Sequence, residues 1–377
     1  MRRKPLGLDI SIDLVNGPDG TAGPSSGASS SGNPGVVPIS ASSQESMEDA
    51  WESTYRSEGL SIGLDFMRYH GRQHTGQALS PSVLQIEGTI GRGACSVVKR
   101  ARHSRTSELF ALKSFKIYDE SRRSMLAKEI GILLALECDC LVRLEGAFFE
   151  SGVVTMVLEY MDCGSLQSIF RKYQQFSGNM GLPESAAAAI AYQILWGVAF
   201  LHHEGMVHRD IKPENVLVNS LGEVKLTDFG IASSKQQQGQ MNSTVVGTAR
   251  FMSLERLKAQ PYGPESDIWS FGLTLIDCVC GLSPFEGMTS PIEFVQTLEE
   301  STTEDLISPL IKGEVRELIS ACLHRQPEKR VPANLLLASP WFEAHEVYNV
   351  DAAVKKTKSY LDVDVLPNLL DISVSTC

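Results

Sequence analysis

HRDIKPENVLV, residues 208–218, places a carboxylate at Asp210, an ammonium at Lys212 and an amide at Asn215 immediately before an apolar run of β-forming residues. Out of water such groups are costly unless they are paired or hold a ligand. Shortly after, KLTDFG (225–230) adds a second carboxylate, Asp228. Taken singly, Asp210 reads as a loop residue capping its own turn and Asp228 as an Asx-type turn before Gly230. Taken together, two acids, an ammonium and an amide flanking short strand-like runs suit a shared metal ion and phosphate.

The chain has 377 residues, 42% hydrophobic and 21% charged, a globular composition longer than the roughly 100 to 200 residues of one domain. Two lobes or two domains are therefore expected. A net charge of −11 leaves no basic footprint for nucleic acid or an anionic membrane. The cysteines Cys95, Cys138, Cys140, Cys163, Cys278, Cys280, Cys322 and Cys377 include two C-x-C pairs but no C-x-x-C zinc spacing, so they read as reduced thiols. The opening MRRKPLGLDI has no apolar run behind its basic residues and no Gly at position 2, so neither a secretory leader nor myristoylation is expected. The expected location is cytoplasmic, with access to the nucleus. IWSFGLTLIDCVCGL (268–282) contains Asp277 and falls short of the roughly 20 residues that span a bilayer; it reads as a buried helix.

Residues 16–46 are dominated by Gly, Ser, Pro and Ala, too poor in large apolar side chains to offset the entropy of ordering. Residues 1–81 are accordingly expected to be a flexible arm, with order beginning near Ser82. LQIEGTI, SVVKRAR and ELFALKSFKI predict three strands in a meander, SRRSMLAKEIGILLAL a helix, and LVRLEGAFF and VVTMVLEY two more strands. Beyond Gly164 the pattern turns helical: ESAAAAIAYQILWGVAFLHH, SDIWSFGLTLIDCVCG with Ser266 as N-cap, PIEFVQTLEE, GEVRELISACL and PANLLLASPWF. The expected class is α+β and bilobal, a small antiparallel β lobe with one helix before a larger, mainly α lobe. Residues 344–377 show weak periodicity and read as a partly ordered tail.

In IGRGACSVV (90–98), Gly91 and Gly93 sit between two strand signals. Alone, this reads as a plain hairpin turn, with a loop folded over phosphates as the alternative. FALKSF then puts Lys113 in an otherwise apolar strand, where an inward ammonium needs an anion. Glu129, in the predicted helix, can supply one.

G-x-G-x-x-S-x-V, A-L-K, H-R-D-I-K-P-E-N and D-F-G occur in the order of the protein kinase signature set, and residues 84–342 resemble a complete protein kinase domain (82–343 with its margins). The resemblance implies ATP and Mg²⁺ as cofactors, with Asp210 as base toward the acceptor hydroxyl, Lys212 near the γ-phosphate, Asn215 and Asp228 on the metal, and Lys113 paired to Glu129. It implies a nucleotide pocket of Ile90, Gly91, Arg92, Gly93, Ala94, Cys95, Ser96, Val98, Ala111 and Lys113, with backbone groups of Glu159 and Met161 at the adenine edge and Leu158 behind it. Asp267 resembles the residue that holds the catalytic-loop backbone, and Glu255 the acid paired to a late Arg, here Arg330.

Lys212 matches the serine/threonine-type catalytic loop, which dual-specificity kinases share. LEYMDCGSL, HHEGMVHRDIKPENVLVN and VVGTARFMSLERL are most similar to mitogen-activated protein kinase kinases, of the sterile-20-type group, with Phe251 in place of Tyr and Leu254 in place of Pro. That implies phosphorylation of Thr and Tyr in the activation loop of a downstream MAP kinase; a kinase of another tier and a pseudokinase scaffold are the alternatives. RRKPLGLDI, within residues 2–10, resembles the docking peptide of such kinases: basic side chains for an acidic patch, alternating apolar residues for a groove. A stray basic terminus explains it equally well. Arg209 beside the base implies an anion on the activation loop, placed by an upstream kinase. Ser243 and Thr244 are the candidates, Ser233 and Ser234 the alternatives, and Gln240 stands near where a usual acceptor would fall.

Overall fold

The computed structural model describes residues 54–57, 59–64, 67–70, 72–73, 79–93, 96–116, 120–178, 180–228, 249–288 and 290–367. Outside them lie the Gly/Ser-rich segment 16–46, the candidate docking peptide 2–10, Ala94, Cys95, Ser233, Ser234, Gln240, Ser243, Thr244 and residues 368–377.

Ordered structure begins earlier than Ser82. Strands β1 (Tyr55–Ser57), β2 (Leu60–Ile62), β3 (Met67–Tyr69) and β4 (Arg72–Gln73) form a four-stranded antiparallel meander. This corrects the expected arm over 1–81. Runs of two or three residues are too short to show periodicity, and Tyr55, Leu60, Ile62 and Met67 are buried only because other elements cover them.

The main sheet follows: β5 (Leu84–Arg92), β6 (Ser96–His103), β7 (Leu109–Lys116), helix α1 (Glu120–Ala135), β8 (Leu144–Glu150) and β9 (Val153–Glu159), in spatial order β5-β6-β7-β9-β8. Alternation along β7 divides its side chains between two faces. Phe110 and Leu112 join Leu79, Leu84, Ala101, Phe148 and Val157 in one apolar cluster, while Ala111 and Phe115 join Met156, Leu158 and the α1 residues Leu126, Ala127 and Ile130 in another. Lys113 has the parity of the α1 face. Register sets it between Val98 on β6 and Met156 on β9.

The second lobe is helical. After β10 (Gly164–Ser165), α2 (Leu166–Ser177) starts where the Ser165 hydroxyl accepts from Ser168 N–H and stops at left-handed Gly178, caps that satisfy the free ends of a helix. Helix α3 (Glu184–His203) is, among the described residues, long and apolar enough to cross a membrane, but most of it is buried inside the lobe. Its small residues, Ala186–Ala189 and Ala191, let neighbours approach closely. The HRDIKPEN sequence then leads into β11 (Val216–Val218), which pairs with β10 and with β12 (Val224–Leu226). Helix α4 (Glu265–Cys280) buries Trp269, Phe271, Leu273 and Leu275, followed by α5 (Pro291–Glu300) and α6 (Glu314–Cys322).

Two local expectations change, and the tail gains detail. Ser266 lies inside α4 and donates to the Gly263 carbonyl at 2.7 Å, with Pro264 at the N-cap. PANLLLASPWF forms two short helices, Ala333–Leu336 and Pro340–Ala344; Pro340 cannot donate into a continuing helix, and the Ser339 hydroxyl caps the second one instead. The tail carries a capped helix, α7 (Val350–Tyr360), with the Asn349 side chain accepting from Ala352 N–H. Helix α7 rests against α3, where Gln193 donates to the Thr357 hydroxyl at 3.1 Å. Gly222 (φ 88°) permits that packing, because a Cβ there would lie 2.3 Å from the Val354 carbonyl oxygen.

Glu255 and Arg330, far apart in sequence, form a buried bidentate pair at 2.6 and 2.9 Å. The guanidinium also donates to the carbonyls of His324 and Glu265 and lies 5.0 Å from the Trp269 ring centroid. Removing one partner strands the other charge: Arg330→Met is expected to cost about 3–5 kcal/mol, read as a lower urea midpoint. Glu255→Leu added to Arg330→Met should recover part of that loss.

Candidate functional site

The loop 208–215 is held from below. Asp267, fully buried in the first turn of α4, accepts the backbone N–H of His208 and of Arg209, each at 2.7 Å, and lies 3.0 Å from His202 Nε2. Charge-assisted bonds of this kind are each worth roughly 1.5–3 kcal/mol. They offset the cost of Arg209 sitting at φ 71°, a left-handed conformation disfavoured by about 1–2 kcal/mol outside Gly. Burial pushes the His208 imidazole below its usual pKa, which suits Nδ1 accepting from Asp210 N–H at 3.3 Å.

Asp210 is thereby fixed at its backbone, and its side chain is fixed by two further residues of the same loop. Lys212 Nζ lies 2.8 and 3.0 Å from the two carboxylate oxygens, and Asn215 Nδ2 donates to Oδ2 at 2.7 Å and to the Asp210 carbonyl at 2.8 Å. The Asn215 carbonyl accepts from Thr227 N–H at 3.0 Å, which brings the next residue, Asp228, alongside. Asp228 itself has φ 60°.

Lys113 joins the other half. Its Nζ is 2.6 Å from Asp228 Oδ1 and 3.4 Å from Glu129 Oε1, with Lys113 and Glu129 both buried. Burial disfavours the ammonium, yet the two carboxylates hold its pKa above the usual lysine value. Burial works against Asp228 too, but Lys113 outweighs it and keeps that carboxyl below its usual range. Burial drives the Glu129 carboxyl up, with Lys113 opposing and Asp228 adding to the rise. The acids thus fall into two sets, Asp228 with Glu129 on Lys113, and Asp210 on Lys212 and Asn215.

Above this centre the β5–β6 hairpin closes with Gly93 N–H donating to the Ser96 carbonyl at 2.9 Å. Gly91 pairs with Val98, and Ala111 lies opposite Leu158. The Glu159 carboxylate binds Lys225 at 2.9 and 3.0 Å and accepts from Arg143 N–H at 2.7 Å, and the Glu159 backbone N–H donates to the Arg143 carbonyl at 3.1 Å. Met161 is buried beside it. The Lys225 pairing escaped the sequence reading; its one signal is an ammonium within the alternating run VKL.

Asn215 and Asp228 suit a hard cation. Asn215 spends its side-chain Nδ2 on Asp210 and its backbone carbonyl on Thr227, so its side-chain oxygen Oδ1 is the atom left for a metal. Asp228 keeps Oδ2 beside the Lys113-bound Oδ1. Two oxygen donors, one of them anionic, match an ion that retains several waters. No group of three or more His, Cys, Asp or Glu side chains suited to a metal occurs among the described residues.

The protein kinase domain family matches residues 84–342. The chain is 34% identical over 299 residues to mitogen-activated protein kinase kinase 2 of Arabidopsis thaliana, covering 77% of this chain and 81% of that protein. It is also 34% identical over 270 residues to mitogen-activated protein kinase kinase SIPKK of Nicotiana tabacum, covering 70% and 74%. With the dual specificity mitogen-activated protein kinase kinase dSOR1 of Drosophila melanogaster it shares 32% identity over 300 residues, covering 72% and 74%.

Lys113→Met removes the cation between Glu129 and Asp228, so the Asp228 carboxyl should move from below to above its usual value. A carboxyl lowered in the folded state adds stability as pH rises, and a raised one subtracts it. The stability deficit of Lys113→Met against wild type should therefore widen between about pH 4 and pH 7. About 1 kcal/mol is expected, less than the roughly 1.4 kcal/mol per unit of a fully buried group, since the Asp228 side chain is 46% exposed. Urea unfolding at the two pH values measures it.

Proposed function

The chain belongs to the protein kinase family, and within it to the mitogen-activated protein kinase kinases, and from that premise we propose that it uses ATP and Mg²⁺ to phosphorylate Thr and Tyr in the activation loop of a downstream MAP kinase. The observation that carries the reading is the division of the acids. Asp228, tied to Lys113, stands with Asn215 where a metal-bound phosphate would lie, while Asp210 is held apart by Lys212 and Asn215. Bound Mg²⁺ would neutralise phosphate charge. Lys113, aligned by Glu129, orients the α- and β-phosphates; Lys212 meets the γ-phosphate; Asp210 orients the acceptor hydroxyl and takes its proton. Little covalent work is needed, because position and opposite charge provide most of the catalysis.

The acceptor shelf has its own shape. Leu254 opens the short helix Leu254–Leu257 at a position that favours Pro, and Phe251 is buried with its carbonyl accepting from the Ser270 hydroxyl at 2.7 Å. Residues 2–10 serve as the docking peptide for the substrate kinase, and the protein acts in the cytoplasm with access to the nucleus.

Asp210→Asn should retain fold and nucleotide binding while kcat falls by roughly 10²–10⁴. Phosphorylation of recombinant MAP kinases, with site mapping, is the measurement. Removal of residues 2–10 should raise KM for the substrate kinase and leave its kcat in place. Wild-type protein that binds ATP and transfers nothing would favour a scaffold.

Activation is proposed to come from a phosphate at Thr244, or at Ser243, placed by an upstream kinase. Arg209 is the receptor, its guanidinium 5.9 Å from the Tyr262 ring centroid. Charge-assisted bonds of about 1.5–3 kcal/mol shift a loop equilibrium by roughly one to two orders of magnitude. Ser243→Ala with Thr244→Ala should stay at basal activity after treatment with an upstream kinase. Full activation of that variant would move the switch to Ser233 or Ser234.

A further inference from the structure

The meander β1–β4 lies N-terminal to the 84–342 match, yet it is built into the small lobe. Tyr55, Leu60, Ile62 and Met67 belong to the same apolar cluster as Leu126, Ala127 and Ile130 of α1 and Ala147 of β8. Ile62 and Ile130 are both fully buried. β8 is the edge of the five-stranded sheet, and its Phe149 N–H donates to the Gly63 carbonyl at 2.9 Å. The Tyr55 and Phe149 rings lie 6.1 Å apart. Gly59 (φ 81°) makes the β1–β2 turn so tightly that a Cβ would meet His70 Nδ1 at 2.7 Å, and its carbonyl accepts from His70 N–H at 2.8 Å. The meander therefore has its own closure and a defined seat.

The seat is shared by the helix that carries Glu129, which β1 meets, and by β8, which β2 and β3 meet. In α1 the buried positions Leu126, Ala127, Glu129 and Ile130 are consecutive or nearly so. Glu129 turns to Lys113 while Ala127 and Ile130 share the cluster with β1–β3. The meander supplies four of the buried apolar side chains of that cluster, Tyr55, Leu60, Ile62 and Met67, and Lys113–Glu129 at 3.4 Å is too long a bond to hold the helix by itself. Burial of Ile and Leu side chains, at about 1.5–3 kcal/mol each, is the larger force.

We infer that the meander is an integral part of the catalytic domain, and that Leu60 and Ile62 are positioning residues that hold α1 where Glu129 can align Lys113. The inference rests on the reading that this pair serves phosphoryl transfer. It assigns a role in the reaction to residues that neither the family match nor the signature motifs reach.

The test uses the full chain. Ile62→Ala, folded by circular dichroism, should lower kcat roughly tenfold, and Ile62→Val should restore most of it. In a Glu129→Gln background, Ile62→Ala should cost nothing further, because two changes acting through one contact are not additive. Independently, hydrogen exchange of the amides of residues 126–134 should accelerate roughly tenfold in Ile62→Ala while those of α3 stay unchanged. Losses that multiply in the double variant, or unchanged exchange in α1, would overturn the inference. A wild-type chain that transfers no phosphate would overturn the functional reading instead, and the exchange comparison would still decide the role of the meander.

Discussion

A buried ammonium without an anion is among the least tolerable features a fold can contain, and Lys113 meets two anions from different parts of the chain. Glu129 comes from the helix packed on the sheet and Asp228 from the loop after β12. Sheet, helix and second lobe are therefore registered on one nitrogen. Their charges depend on one another: against burial, the two carboxylates hold the Lys113 ammonium above its usual pKa and Lys113 keeps the Asp228 carboxyl below its own, while burial pushes Glu129 up. Displacing any one of them changes the charge state of the other two.

A second anchor stands behind the first. Asp267 fixes the backbone at His208 and Arg209 from the start of α4, and α4 is itself fixed by Arg330, whose guanidinium reaches Glu255, the Glu265 carbonyl and the Trp269 ring. The chain of support runs from apolar core to helix, from helix to loop backbone, and from backbone to the Asp210 carboxylate. Lys212 and Asn215 complete it locally. On the proposed reading Asp210 accepts a proton from the acceptor hydroxyl, and such a carboxylate gains from being held this firmly, because its position is set before the substrate arrives.

Much of this was legible in the residues. The order of the glycine pair, Lys113, Asp210, Asn215 and Asp228 pointed to the chemistry, and alternation along FALKSF put Lys113 on an inward face. The helix at 184–203 follows from its nearly unbroken apolar run and the helix at 291–300 from its amphipathic spacing, each with a Pro at its start. PANLLLASPWF read as one helix because its apolar content is continuous; the interruption at Pro340 is a local covalent effect that composition hides. The meander at 55–73 was illegible because its strands are two or three residues long and gain their stability from α1 and β8, not from their own pattern.

The sequence by itself determined which chemical groups are present, in what order, and on which face of a strand or helix each would fall, since those depend on local periodicity and covalent constraint. Only the tertiary structure decided which of those groups meet. That Glu129 reaches Lys113, that Asp267 receives two loop amides, that Lys225 consumes the Glu159 carboxylate, and that Ile62 joins one apolar cluster with the helix bearing Glu129 all link residues far apart in the chain. Their partners are chosen by burial, because an apolar face or a charge removed from water must find its complement wherever the fold brings one.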